Sequence, residues 1–116
     1  MAQAPYSIQT NQAAKKVEMK VSGTFTPQDY QNFVRDYAKM ASSIDAGSFT
    51  LEVDCRDMDL LATEEVEKLK GSFVSYKETG FQKVVFIISQ SQTIIKMQLG
   101  RVAREAGLAN VEILTQ

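Results

Sequence analysis

The chain switches hydrophobic period from two to 3.6 and back three times along its length, and few folds accommodate that rhythm. Phe49, Leu51, Val53 and Cys55 alternate with Thr50, Glu52, Asp54 and Arg56. One set can therefore face a core while the other faces solvent, which predicts a strand. Val17, Met19 and Val21 alternate with Glu18, Lys20 and Ser22 in the same way, up to Gly23. Tyr6 to Thr10 alternates weakly and predicts a short edge strand, with a polar turn over Asn11 to Lys16. Val84 to Ile88 is an unbroken apolar run, the pattern of a central strand covered on both faces. Val111, Ile113 and Leu114 predict the last strand.

Helical spacing fills the gaps. Thr26-Pro27-Gln28-Asp29 reads as a helix start, with a capping hydroxyl, proline at the first position and an acid near the positive helix end. Tyr30, Phe33, Val34, Tyr37, Ala38, Ala41 and Ile44 then recur on one face, and Ala46-Gly47 is the expected end. Thr63-Glu64-Glu65 opens a second helix, whose inner face is Val66, Leu69, Phe73 and Tyr76 or Lys77, with Gly80 as its left-handed cap. Ser89 to Ser91 is expected to cap a third, with Ile95, Leu99, Val102, Ala103 and Ala106 inward and Gly107-Leu108 ending it. The order β-β-α-β-α-β-α-β predicts an α/β fold, a mixed, mostly parallel sheet with three helices and right-handed crossovers. Residues 1–6 read as a loose arm and 7–116 as one domain.

What the chain lacks narrows its chemistry. It has no histidine, so histidine-activated serine or cysteine nucleophiles are excluded and the usual zinc sites lose their commonest ligand. Its 13 basic and 14 acidic residues nearly cancel, leaving no field to draw it onto nucleic acid or an anionic membrane. The single cysteine, Cys55, forbids an internal disulfide and suits a reducing, cytoplasmic setting. Met1 to Asn11 lacks the charged-then-apolar order of a signal peptide, and no apolar run is long enough to span a membrane. These features predict a binding protein, without cofactor or metal, rather than an enzyme.

Two stretches resemble the STAS domain, the fold of bacterial anti-sigma-factor antagonists. Val21-Ser22-Gly23-Thr24-Phe25 before a helix looks like the family's strand and turn ahead of its first helix. Leu51-Glu52-Val53-Asp54-Cys55-Arg56-Asp57-Met58-Asp59-Leu60-Leu61 looks like its strand and loop ahead of the second. In the antagonists that loop runs into Asp-Ser-Ser-Gly, whose serine or threonine is phosphorylated to release the partner. The matching positions here are Ala62, Thr63, Glu64 and Glu65. The acceptor position falls on Glu64, or on Thr63 if the register shifts by one, so the family's phosphoswitch is altered.

The resemblance implies a non-enzymatic regulatory or scaffolding module that binds a protein partner through the loop and helix at 59–73. Asp59, Thr63, Glu64, Val66 and Leu69 are the candidate contacts. Thr63 is read as an ordinary helix cap, with phosphorylation as its functional alternative. Glu64 could instead hold the site in a fixed, phospho-like charge. The acids Asp54, Asp57, Asp59, Glu64 and Glu65 read as a solvated loop, since their spacing lacks the calcium-loop pattern. Cys55, in phase with Leu51 and Val53, reads as a buried thiol. On the third helix, Ile94 and Met97 fall off the inner face beside Lys96, Arg101 and Arg104, where they either dock a partner or cover the sheet's edge. Rival readings are a small-ligand or lipid-binding relative of the fold, and a self-assembling structural protein, including a phage component. A homo-oligomer fits any of these.

Overall fold

A computed structural model describes residues 5–23, 25–59 and 63–116, the side chain of Thr63 excepted. Residues 1–4 of the expected arm, and Leu60, Leu61 and Ala62 of the candidate loop, lie outside the described residues. Five strands and three helices follow the expected order: β1 (Tyr6–Asn11), β2 (Lys16–Gly23), α1 (Pro27–Ser42), β3 (Thr50–Met58), α2 (Thr63–Thr79), β4 (Lys83–Ile88), α3 (Thr93–Ala106) and β5 (Val111–Thr115). The sheet runs β1-β2-β3-β4-β5, with β1 antiparallel to β2 and every other pair parallel.

Strands that neighbour one another in sequence order, joined by right-handed crossovers, put every crossover helix on the same face. The core shows this arrangement. Val17 and Met19 of β2, Leu51, Val53 and Cys55 of β3, and Val84, Phe86 and Ile88 of β4 form one cluster with buried residues from all three helices. Among the described residues the other face bears no helix. Its polar residues pair along the strands: Lys16 with Glu52 at 3.2 Å, Lys20 with Asp57 at 3.2 Å, Arg56 with Asp54 at 2.8 Å, and Lys83 with Glu112.

β4 is buried on both faces as expected, but the cover differs. Val85 and Ile87 are buried with no second layer over them among the described residues. Glu52 and Asp54 of β3 flank them on one side, and Glu112 and Leu114 of β5 on the other.

Four local readings also change. Tyr6, read both as the last residue of the arm and as the first of the edge strand, belongs to the strand: it opens β1 and pairs with Val21. α1 ends at Ser42 rather than at Ala46-Gly47, because the Ser43 hydroxyl donates to the Met40 carbonyl at 2.7 Å and the chain then turns into a short 3₁₀ segment, Ala46–Ser48. Within α1 Val34 and Ala38 face solvent, while Met40 is buried. Ser89–Ser91 do not cap α3: the cap position is Gln92, and its side chain bonds elsewhere. The end of α3 matches expectation. Gly107 is left-handed (φ 76°), and the Leu108 amide donates to the Ala103 carbonyl at 2.9 Å while its side chain folds into the core.

Candidate functional site

The loop after β3 starts at the carboxyl end of the sheet, where open α/β sheets form ligand crevices. Two contacts hold its first residues. The Asp59 amide donates to the Gly23 carbonyl at the end of β2, at 3.3 Å. From the other side, the Gln92 Nε2 donates to the carbonyls of Cys55 (2.9 Å) and Met58 (3.3 Å), and its Oε1 accepts from the Ser89 amide (2.8 Å). One glutamine therefore joins the ends of β3 and β4 to the start of α3. Nothing local in the sequence marks its reach to β3, because the two carbonyls it bonds there lie 34 and 37 residues away.

The five candidate contacts do not form one patch. Asp59 and Glu64 are exposed. Thr63 is the first residue of α2; its side chain, and with it the expected cap, lies outside the described residues. Val66 and Leu69 are half-buried and pack on the core's edge, but Val66 borders α3 and Leu69 borders α1. Leu69 lines a small cavity of about 90 Å³ between α1 and α2, with Phe25, Phe33, Met58 and Tyr76. Ligand sites run to roughly 300 Å³ or more, so this cavity is too small for an ordinary metabolite. Val66 lines a larger concavity of about 790 Å³ across α2 and α3. Phe73, at the far end of the 59–73 span, is fully buried and stacked on Phe86 at 4.8 Å, out of reach of any partner.

The larger concavity holds the two most exposed large apolar side chains among the described residues, Ile94 (59% exposed) and Met97 (70%). Both side chains stay largely in water rather than buried against the sheet. Around them stand Lys70, Lys96, Arg101 and Arg104, against Glu67 and Glu105. Lys70 and Glu67 of α2 were not among the sequence candidates. Their only signal was position: Glu67 directly follows Val66, and Lys70 lies one helical turn beyond it.

The remaining groups are occupied by structure. Asp54 is held below the usual carboxylate range, chiefly by hydrogen bonding from Arg56. Burial pushes the Cys55 thiol up to about 12, so it stays protonated and unreactive at neutral pH. Among the described residues no three histidine, cysteine or carboxylate side chains are grouped as metal ligands, and no helix is long and apolar enough to cross a membrane.

No protein-family model matches this sequence, and no curated protein matches it. A solved structure does resemble it, that of a protein from Shewanella loihica PV-4 described as an uncharacterized member of the DUF3478 family with a SpoIIAA-like fold. The likeness covers 94% of this chain and 83% of that one, with a TM-score of 0.67 and 16% sequence identity. The five-stranded mixed sheet with three helices on one face is therefore a SpoIIAA-like fold, the STAS fold of the anti-sigma-factor antagonists.

Proposed function

We propose that this domain is a non-catalytic regulatory or scaffolding module that binds a protein partner. The contact surface starts at the 59–63 loop, runs along the Val66 side of α2 and continues onto α3. Asp59, Thr63 and Glu64 set the charge at one end of that surface, and Val66 with Ile94 and Met97 supplies its apolar centre.

The observation that carries this reading is the exposure of Ile94 and Met97 over a concavity that neither α2 nor β5 fills. Burying each such side chain gains about 1.5–3 kcal/mol, so leaving two of them in water beside an open groove favours an interaction role. The one thiol is buried and protonated and the sequence has no histidine, so thiol and histidine-activated nucleophiles drop out. The partner surface expected at Asp59–Phe73 is thereby moved: Phe73 and the Leu69 side drop out, and the outer face of α3 comes in.

Photocrosslinking tests this reading. A photoreactive amino acid is placed at position 97, at 66, or at 18 on the bare sheet face, and the protein is irradiated in native lysate. A discrete higher-mass product is expected at 97 and 66 and absent at 18. Equal labelling at all three positions, or none at any, rules the surface out.

A further inference from the structure

We infer that the groove between α2 and α3 receives an acidic amphipathic helix of a protein partner. This inference rests on the binding role proposed above and names the partner's chemistry. Its first ground is charge. The chain carries a net charge of −1, yet the groove is lined by four cations and two carboxylates. One of those carboxylates, Glu105, already faces Arg101 at 3.9 Å. Lys70, Lys96 and Arg104 form no ion pair with another described residue, unlike Lys16, Lys20, Arg56 and Lys83 on the bare sheet face. A partner bringing carboxylates to both rims of the groove would give these cations the counter-charges they lack.

The second ground is shape. A furrow between two helices accepts a third laid alongside, with apolar side chains at i, i+3 or i+4, and i+7 entering the seam. Ile94 and Met97 lie one turn apart on α3 and face that seam together with Val66. Two other occupants fit less well. A second copy docked groove to groove about a two-fold axis would bring two surfaces of net positive charge together, four cations against two carboxylates on each side. A lipid surface is flat on this scale, so it would touch the rims and leave the floor of a 790 Å³ concavity unfilled.

A displayed library of random peptides, long enough for several helical turns, is selected on the full chain and counter-selected on Met97→Asp. Helical folding of each variant is verified by circular dichroism. The expected pool binds the wild type, loses Met97→Asp, carries net negative charge and repeats apolar residues at helical spacing. Its affinity should fall as salt rises, and Lys96→Glu with Arg104→Glu should weaken it about tenfold or more. A Met97-dependent pool that is neutral or basic overturns the acidic partner while leaving the binding role standing. A pool indifferent to Met97→Asp, or no pool at all, overturns the groove as the site. Two parallel measurements use phosphatidylglycerol vesicles and light scattering of the chain alone. Met97-dependent sedimentation with vesicles, or a dimer lost on Met97→Asp, overturns the inference in favour of that occupant.

Discussion

α1 and α3 are both amphipathic helices packed on the same face of one sheet, and they treat their polar and outward groups in opposite ways. α1 is closed at its start by a capping box: the Asp29 amide donates to Thr26 Oγ1 at 3.1 Å, and the Thr26 amide donates to Asp29 Oδ2 at 2.9 Å. Its polar tips reach neighbouring elements. Tyr37 shares a hydrogen bond with Thr79 of α2 at 2.7 Å, and Asp36 accepts from Tyr6 of β1. α3 has no side-chain cap of its own, since Gln92 holds the β3 loop instead, and its outward face carries Ile94 and Met97 among cations. On the proposed reading, α1 mainly holds the fold together, although Val34 is exposed on it, and α3 presents a surface. A helix whose outer groups are used by its own fold offers little to a partner, and one whose outer groups are left open does.

The largest effect that could break this contrast is on stability. Phe33 is buried in α1, edge-on to both Tyr6 and Phe25. Phe33→Ala should cost about 3–5 kcal/mol in urea unfolding, through lost burial and the cavity left behind. Met97→Asp should stay within about 0.5 kcal/mol of wild type, because a residue this exposed has little packing to lose. If Met97→Asp destabilised as strongly as Phe33→Ala, α3's outer face would be structural and the contrast would collapse.

Gln92→Ala is the next largest. It removes the donor to two backbone carbonyls and the acceptor for the Ser89 amide, a loss of about 1–3 kcal/mol if those groups stay shielded. The mark of the proposed bridge is its location. Hydrogen exchange should accelerate at the Ser89 amide and at the Asp59 amide, which depends on the loop's placement, while the amides of α1 keep their protection. A uniform rise across the chain would mean that Gln92 contributes only to global stability.

These two predictions also show what could be read in the sequence. The five strands and three α-helices were legible, because period, or in β4 an unbroken apolar run, reports which faces are buried. The inner face of α3 and its Gly107-Leu108 end were legible residue by residue. The layering was not. An unbroken run such as Val84–Ile88 reports burial without saying whether a helix or neighbouring strands' side chains provide it. The site was half legible: exposure of Ile94 and Met97 followed from their phase, but the groove depends on where α2 lies beside α3. Gln92 was illegible because its role joins segments far apart in the chain, and a glutamine carries no periodic signal. The split of Val66 from Leu69 was hidden for a similar reason, since both fall on the inner half of α2 and only the neighbours on either side separate them.

Thr26→Ala tests the capped end of α1 at about 1 kcal/mol, the usual contribution of an N-cap hydroxyl. The matching change at α3, Ser91→Ala, should leave urea stability nearly unchanged, because the Ser91 hydroxyl meets only the Ser89 hydroxyl, at 3.1 Å, and caps no amide. Equal losses would mean that the two helix starts are built alike.

The smallest expected effect lies in the acid limb of stability and concerns α1's tie to β1. Asp36 is held below the usual carboxylate range, first by the hydrogen bond from the Tyr6 hydroxyl and then by that from Arg35. The same contact, after burial, helps push the Tyr6 hydroxyl up to about 12. A carboxylate whose pKa is lower folded than unfolded stabilises the fold fully above its unfolded value, near 4, and loses that contribution as pH falls through its folded value. Wild-type stability should therefore decline as pH drops below about 4, with Asp36 contributing to the slope. Tyr6→Phe keeps the ring against Phe25 and Phe33 but removes the hydroxyl, so Asp36 should titrate closer to its ordinary value and the slope should become shallower. Urea midpoints at neutral pH and at several acidic values would show the two curves converging as pH falls. If they stayed parallel down to the acid limit, the Tyr6–Asp36 bond would carry no linkage, and α1's tie to β1 would be one of packing alone.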